Sequence, residues 1–169
     1  MNQNTNPEEL FLKAYEGFGD SVFRHCYLRV SPREEAVDIT QEAFMKVWDY
    51  LRTGQEVHNM KAFVFKTVNN LIIDWYRKKK PVTLDDEEAL RIPDTLHATD
   101  PELAALGREA LTLLARLDGE YRTVVELRII EGFGPKEIAE ILGETENAVS
   151  VRIHRGIAKL RELYESSPE

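Results

Sequence analysis

The chain has 169 residues and a formal net charge of -8, from 22 basic and 30 acidic residues. This length suits one large or two small domains, and an apolar fraction of 43% is enough for a hydrophobic core, which excludes a fully disordered chain. An evenly spread negative charge would also argue against nucleic-acid binding, because phosphates are bound by clustered Lys and Arg.

Cysteine content and hydropathy indicate an intracellular protein. The single cysteine, Cys26, excludes an intrachain disulfide and cannot by itself supply a cysteine-based metal cluster. Residues 1–6 lack the basic start and apolar stretch of a signal peptide, and no segment approaches the roughly 20 apolar residues of a membrane span. We expect a cytoplasmic protein with no direct membrane insertion.

The negative charge is concentrated in the middle of the chain. Residues 1–80 carry a net charge of +1, residues 81–105 of -6 and residues 106–169 of -3. The middle stretch is rich in proline and has no sustained apolar period, which is typical of a linker. We therefore predict an all-α protein with two small helical domains, residues 1–80 and 101–169, joined by an acidic flexible linker over 81–100.

Apolar residues at intervals of three and four predict a series of helices in the N-terminal domain. Asn6 precedes the first helix, and the glycine-containing segment 17–20 predicts a break after which a second helix starts. The segment from Ser31 has the pattern of a capping box, with Ser31 as N-cap of the next helix. Asn59 is predicted to cap a long helix that ends at about Lys80.

The helix that follows Ser31 has one apolar and one polar face at about 100° per residue. The polar face, here named the acidic stripe, consists of Asp38, Gln41, Glu42, Met45 and Asp49. A solvated helix face is the simplest interpretation of these residues, and a binding surface is the competing one.

The next helix is locally basic, with six basic residues and one acidic residue in 61–80. Its side opposite the core, here named the basic stripe, consists of Phe63, Lys66, Asn70, Asp74, Arg77 and, beside them, Lys78. Cations, an amide and an aromatic ring in one row suit phosphate contact together with base stacking or base-edge hydrogen bonding. A solvated face whose basic end complements the helix dipole is equally compatible with this segment alone.

Two further helices are predicted in the first half of the C-terminal domain. The first starts at Pro101. Asp118 is predicted to cap the second, whose inward side chains extend to Ile130 and which ends at Gly132.

Residues 135–160 have the layout of a helix-turn-helix, with a short helix to Leu142, a turn at Gly143 and a second helix capped by Thr145. Its candidate DNA-contacting residues are Asn147, Val151, His154 and Arg155 on the outward side, the flanking Arg152 and Lys159, and Lys136 on the short helix. Arginine and asparagine can read guanine and adenine edges, and an exposed valine can meet a thymine methyl group. An ordinary helical hairpin is the alternative.

Catalytic and metal-binding patterns find little support in the sequence. His25 and Cys26 are sequence neighbours and cannot face one another on a helix, and the other histidines have neither triad nor ligand spacing. Residues 17–19 lack the later glycine of a dinucleotide fingerprint. We therefore predict no catalytic residues, no metal and no cofactor.

Three motifs in the chain, taken in order, resemble a known family. They are Asp38-Ile39-Thr40-Gln41-Glu42-Ala43-Phe44 running to Trp48, then Asn70-Leu71-Ile72-Ile73-Asp74-Trp75-Tyr76-Arg77, then Lys136-Glu137-Ile138-Ala139 leading to Arg152-Ile153-His154-Arg155. The combination resembles the extracytoplasmic-function (ECF, group 4) sigma factors of bacterial RNA polymerase. The resemblance covers nearly the whole chain, including the two-domain plan and the linker.

This resemblance implies a role for each group of residues. The acidic stripe would dock on the clamp helices of the largest subunit of core RNA polymerase, and the C-terminal domain would contact the polymerase flap. The basic stripe would melt the -10 element of promoter DNA, and the candidate residues between 136 and 159 would bind the -35 element. An anti-sigma factor would be a further partner.

A helix-turn-helix regulator of the LuxR type, with a helical sensor or dimerisation domain in front, is the alternative, because the pattern in 135–160 also resembles the DNA-binding domains of those regulators. The first domain discriminates between the two hypotheses. A sensor domain would not need an acidic stripe over 38–49 beside a basic, aromatic stripe over 63–77.

Overall fold

This computed structural model describes residues 6–79 and 101–167 of the chain, and in the second range it describes side chains from residue 107 onward. The regular structure of these residues is helical. The predicted all-α class is confirmed, since these residues contain no strand. The chain divides into two compact units, Met1–Thr83 and Leu84–Glu169. The predicted linker over 81–100 lies outside the described residues.

Three helices form the N-terminal unit: α1 (Pro7–Tyr27), α2 (Arg33–Arg52) and α3 (Met60–Lys78). Asn6 and Asn59 are the N-caps of α1 and α3, and their side-chain oxygen atoms accept backbone N–H bonds at 3.1 and 3.0 Å. Each cap satisfies one of the amides that a helix start leaves without an intrahelical partner, which explains why the sequence located both starts.

The predicted helix break at residues 17–20 is wrong, because α1 continues through Gly17 and Gly19. A glycine inside a helix costs only about 0.5–1 kcal/mol relative to alanine. The buried side of α1 extends across both glycines, from Ala14 to Val22 and Cys26. Packing of that continuous side therefore outweighs the weak local preference against helix.

The predicted capping box at Ser31 is also wrong. The N-cap of α2 is Pro32, one residue later, and no side-chain hydrogen bond caps this helix. Pro32 has an extended backbone, with φ -79° and ψ 179°, so the helical turn starts only at Arg33. The Pro32 carbonyl then accepts the backbone N–H of Glu35 at 3.1 Å.

The core of the N-terminal unit lies where the three helices face one another. Its buried apolar side chains on α2 and α3 are Ala36, Ile39, Ala43, Phe44, Val47, Leu51, Val64, Phe65, Val68, Leu71 and Ile72. Each helix buries residues at intervals of three and four, as the sequence pattern predicted. The opposite faces of α2 and α3 are therefore left for solvent or for binding partners.

The C-terminal unit contains α4 (Pro101–Ala115), α5 (Gly119–Val125), α6 (Pro135–Leu142) and α7 (Glu146–Glu165). Gly143 ends α6 in a left-handed conformation, with φ +68°, which a residue without Cβ adopts readily. The pair α6 and α7 with this turn between them forms the predicted helix-turn-helix.

A π-helical turn over Glu126–Ile130 follows directly after α5. The prediction that Ile130 faces inward is wrong, since Ile129 and Ile130 are 54% and 41% exposed while Leu127 is fully buried. The wider turn, in which the backbone N–H of Glu131 reaches the carbonyl of Glu126 at 3.1 Å, breaks the period of 3.6 residues on which the prediction depended.

Two backbone contacts, neither of them predicted, hold the turn between α4 and α5. Asp118 is the N-cap of α5 as predicted, yet its side chain makes no capping bond. Instead, the guanidinium of Arg122 donates to the carbonyls of Ala115 and Leu117, at 2.6 and 2.9 Å. Arg122 thus satisfies carbonyl groups at the end of α4, where a helix has no internal donors.

The helix α7 packs tightly against α5 at Gly156, which is buried. A Cβ atom built on Gly156 would lie 2.6 Å from Cγ2 of Val125, well inside contact distance. Val149 and Ile153 are buried on the same side of α7, as predicted. This contact fixes which side of α7 faces solvent.

Candidate functional site

The acidic stripe on α2 is exposed along its whole length. Asp38, Gln41, Glu42, Met45 and Asp49 all lie on the solvent side, and Met45 is 66% exposed. Two long, partly solvated contacts accompany the stripe, with Lys46 Nζ 3.9 Å from Glu42 Oε1 and Arg52 Nη1 3.8 Å from Asp49 Oδ1. An exposed methionine among carboxylates offers a partner both apolar contact and negative charge.

An open apolar groove between α1 and α2, with a cavity volume of about 580 Å³, borders the acidic stripe. Its lining residues are Glu8, Phe11, Leu12, Tyr15, Gln41, Phe44, Met45 and Trp48. Ring contacts shape its floor, with centroid distances of 5.4 Å from Phe11 to Trp48 and 5.0 Å from Tyr15 to Phe44. Gln41 and Met45 belong to both surfaces, so the groove extends the acidic stripe toward α1.

The sequence interpretation did not identify this groove as a surface. Leu12 and Tyr15 are 54% and 55% exposed, although they lie within an apolar segment of α1. The sequence does indicate such a surface, because residues 10, 11, 12, 14 and 15 are all apolar. They cover a wider arc of the helix than one buried face, so some of them must be exposed.

The basic stripe on α3 is also largely exposed. Lys66, Asn70, Asp74, Arg77 and Lys78 lie on the solvent side, and Phe63 is half-buried. The ring of Phe63 packs against Tyr50 of α2, with a centroid distance of 4.7 Å. Arg77 Nη1 lies 3.8 Å from Asp74 Oδ1, a distance that leaves both side chains mostly solvated. One row on α3 therefore offers cations, an amide and the edge of an aromatic pair.

A cluster that sequence reasoning missed fixes the end of α3 on the start of α2. Glu35 accepts the indole N–H of Trp75 at 3.1 Å and the Lys79 ammonium at 2.9 Å. The same ammonium lies 4.5 Å from the centroid of the Trp75 ring. The donated hydrogen bond from Lys79, then that from Trp75, holds the pKa of Glu35 below its ordinary value.

Local hydrogen bonds fix the first turn of each of the two helices in the helix-turn-helix. The Glu137 carboxylate accepts the backbone N–H of Gly134 at 2.8 Å at the start of α6. The hydroxyl of Thr145 accepts the backbone N–H of Ala148 at 3.2 Å and caps α7, as predicted. These two bonds determine the residue at which α6 and α7 each begin, and therefore which residues lie on the outer face of α7.

The seven candidate residues of the helix-turn-helix differ in their contacts. Exposed side chains belong to Lys136, Asn147, Val151, His154, Arg155 and Lys159, whereas Arg152 is half-buried. Arg152 and Lys159 contact the unit itself. Arg152 forms a two-point ion pair with Glu144, with nitrogen-to-oxygen distances of 2.7 and 3.0 Å, and Lys159 Nζ lies 5.2 Å from the ring centroid of Tyr121.

Comparison with known proteins identifies both units. Residues 14–82 match the family described as Sigma-70 region 2, and residues 107–160 match Sigma-70, region 4. The ECF RNA polymerase sigma factor SigW of Bacillus subtilis (strain 168) is 31% identical over 165 residues, which cover 91% of this chain and 88% of SigW. The chain belongs to the ECF sigma factors. Over 164 residues it is also 27% identical to the sigma factor SigV of the same strain, which covers 95% of each chain.

Two solved structures share the fold of this ECF sigma factor. The sigma factor RpoE of Bartonella quintana, solved with the anti-sigma factor NepR, has a TM-score of 0.72 at 18% identity, covering 94% of this chain and 98% of RpoE. CnrH, solved with the cytosolic domain of CnrY, has a TM-score of 0.66 at 23% identity, covering 97% of this chain and 92% of CnrH. At these identities the likeness concerns the fold alone.

Membership of the ECF sigma factors confirms the predicted family and function. The acidic and basic stripes fall within the region 2 match, and the helix-turn-helix falls within the region 4 match. A LuxR-type regulator is not favoured, because the N-terminal unit matches a sigma region. Sigma factors initiate transcription with core RNA polymerase at promoter DNA and are not enzymes. Within residues 6–79 and 101–167, no helix has the length and hydropathy needed to cross a membrane.

Proposed function

We propose that this sigma factor contacts core polymerase and the two promoter elements through three separate surfaces. The observation that carries the proposal is the pairing of opposite chemistries on adjacent helices, an acidic stripe on α2 and a basic stripe on α3. One surface suits a basic protein partner and the other suits nucleic acid. Residues 1–80 are assigned to polymerase and the -10 element, 81–100 to the linker and 101–169 to the -35 element.

The acidic stripe and the groove beside it are the proposed docking surface for the clamp helices of the largest polymerase subunit. Exposed carboxylates at Asp38 and Glu42 can pair with basic side chains, and Met45 together with the aromatic groove can bury apolar ones. Apolar contact at the centre with charge around it is the usual anatomy of a protein interface. The C-terminal unit is the proposed contact for the polymerase flap.

The basic stripe is the proposed binding site for the opened -10 element. Lys66 and Arg77 can contact phosphates, and Asn70 can hydrogen-bond an unpaired base edge. The exposed part of Phe63, backed by Tyr50, can stack on a base. Capture of unstacked bases offsets the free energy needed to open the duplex, so melting requires binding energy and no catalytic group.

The outer face of α7 is the proposed reader of the -35 element in the major groove. Asn147 and Arg155 can hydrogen-bond base edges, Val151 can contact a thymine methyl group, and Lys136 on α6 can contact a phosphate. Val151 is 43% exposed, so its methyl groups are accessible to a base. His154, also exposed, lies on the same face.

Polymerase supplies the cooperation between the two DNA-binding surfaces in this proposal. Each surface is small, and binding both to one core enzyme makes the second contact effectively intramolecular. The net charge of -8 weakens any complex of the protein alone with duplex DNA. Promoter recognition therefore depends on the assembled holoenzyme, and we expect the protein to act in the cytoplasm with no catalytic site of its own.

An anti-sigma factor is a proposed further partner. The sigma factor RpoE of Bartonella quintana, which shares this fold, was solved with the anti-sigma factor NepR. By analogy, a partner of that class would hold this chain inactive until a signal releases it.

Run-off transcription with purified core polymerase, with and without this protein, tests the proposed function. Genomic DNA fragments serve as templates, and heat-denatured protein is the control. New transcripts with common upstream elements are expected only with the native protein. Absence of such transcripts, combined with sequence-specific DNA binding by the protein alone, would favour a regulator of the LuxR type.

A further inference from the structure

Arg152 lies at the edge of the outer face of α7. It follows Asn147 by five residues, about 140° around the helix axis, and precedes Arg155 by three, about 60°. Lys159, seven residues further on, shares its side and lies over Tyr121 of α5. The side chain of Arg152 is 24% exposed, whereas Arg155 lies on the exposed face. The Arg152 side chain is therefore partly covered by its own unit and less accessible than that of Arg155.

The partner of Arg152 is the residue that follows the glycine of the turn. Nη2 of Arg152 lies 2.7 Å from Oε2 of Glu144, and Nη1 lies 3.0 Å from Oε1. Two parallel contacts between a planar guanidinium and a carboxylate fix direction as well as distance. Since Gly143 has φ +68°, the pair ties the left-handed end of α6 to the second turn of α7.

The surroundings of Arg152 favour the paired state. The Glu144 side chain is 33% exposed, and Glu120 at the start of α5 adds a second, weaker electrostatic attraction for Arg152. The bond to Glu144 raises the pKa of Arg152 above its ordinary value. A phosphate would have to compete with a carboxylate already in place, and breaking the pair would leave Glu144 close to the DNA.

We propose that Arg152 is a positioning residue, which holds the turn of the helix-turn-helix against α7 through Glu144 and so sets how Asn147, Val151 and Arg155 enter the major groove. It does not itself contact DNA. The inference rests on the proposed -35 function of this unit. It removes Arg152 from the predicted DNA contacts and gives Glu144 a role that sequence reasoning did not assign.

The two roles predict opposite effects for removal of the Glu144 charge. If Arg152 read a base edge of the -35 element, Glu144→Gln would release the guanidinium for that contact, so discrimination between promoter sequences would rise. If Arg152 positions the turn, Glu144→Gln would loosen α7 and weaken discrimination between promoter sequences. Arg152→Gln lowers discrimination under both roles, so Glu144 is the informative position.

A double-mutant cycle with reconstituted holoenzyme tests the inference. The measured quantity is the ratio of run-off transcription from a matched promoter to that from a promoter with one substituted -35 base, for Glu144→Gln, Arg152→Gln and the double variant. Each single substitution is expected to lower the ratio about three- to fivefold, the size of one partly exposed ion pair, and the double variant no further. Arg155→Ala provides the comparison for loss of a direct contact, and Arg161→Gln is the matched control for an exposed arginine on α7.

Three results would overturn the inference. A higher ratio for Glu144→Gln would assign Arg152 to DNA, and so would additive losses in the double variant. An unchanged ratio for Glu144→Gln, whatever its unfolding temperature, would show that the ion pair has no role in promoter discrimination. Absence of promoter-dependent transcription by the unsubstituted protein would instead overturn the proposed function itself, and the inference with it.

Discussion

The indole N–H of Trp75 donates a hydrogen bond to Oε2 of Glu35 over 3.1 Å and thereby joins the last turn of α3 to the first turn of α2. The ammonium of Lys79 occupies the other carboxylate oxygen at 2.9 Å. The two helices that carry the acidic and basic stripes are thus fixed to one another at this end. The contact relates the proposed polymerase surface to the proposed -10 surface.

Replacing Glu35 with Gln should destabilise the N-terminal unit. The loss should be about 0.5–1 kcal/mol, because the carboxylate is lost from one ion pair and one hydrogen bond while a side chain that is 34% exposed keeps access to water. Urea denaturation of the full chain measures the change. Glu34→Gln, the exposed neighbour, is the control and should change the unfolding midpoint little. Equal effects of the two substitutions would contradict a specific role for Glu35.

The stability that Glu35 contributes should depend on pH. Its pKa is lower in the folded protein than the ordinary value of 4.5, so the unfolded chain takes up a proton first as the pH falls. The difference in unfolding free energy between the unsubstituted chain and Glu35→Gln should therefore be constant above about pH 5 and shrink as the pH falls through the folded-state pKa. A difference that grows on acidification would show that the pKa is raised instead.

Replacing Gly156 with Ala should destabilise the C-terminal unit by about 1–3 kcal/mol, the usual cost of overpacking. The added Cβ would lie 2.6 Å from Cγ2 of Val125, so α7 would have to move away from α5. Thermal unfolding measures the loss. Val125→Ala in the same chain should recover part of it by removing the clashing methyl group.

Gly119→Ala is the matched control for that experiment. Gly119 has no atom within 4 Å of a built Cβ, so this substitution should shift the unfolding temperature little. Equal destabilisation by the Gly119 and Gly156 substitutions would show that the steric clash with Val125 is not the cause of the loss.

Reversing charge at Asp38 and Glu42 to Lys should weaken association with core polymerase about tenfold or more, since like charges placed against a basic partner surface cost several kcal/mol. Both side chains are exposed, so the fold should be retained, and circular dichroism can confirm it. Co-purification with core polymerase is the measurement. The control is Asp20→Lys, an exposed acid on α1 outside the stripe and the groove. Unchanged co-purification of the Asp38 and Glu42 variant would show that the acidic stripe is not part of the interface.

Amphipathic spacing was sufficient to predict most of the helices and the exposure of both stripes. The spacing works because burial of a helix face repeats every three to four residues, so the same pattern that locates the core also locates its opposite face. The helix start after Asn6 and the caps at Asn59 and Thr145 were predicted for a similar reason, since each depends on a few neighbouring residues.

Features that depend on distant residues were not predictable from the same pattern. The contact of Glu35 with Trp75 joins residues 40 apart, and that of Arg152 with Glu144 crosses a turn. Helical projection gives the direction of Arg152 around its own axis but not the carboxylate that meets it. The unbroken α1 is a related case, because tertiary packing outweighed the weak propensity of Gly17.

The most direct test of the account compares promoter binding by the protein alone, by core polymerase alone and by the two together at physiological ionic strength. A fragment upstream of a mapped run-off start site is used, with a random fragment of equal length as the control. We predict that only the two proteins together discriminate the promoter from the random fragment. Tight, promoter-specific binding by this protein without polymerase would contradict the account, as would a mixture no more specific than core polymerase alone.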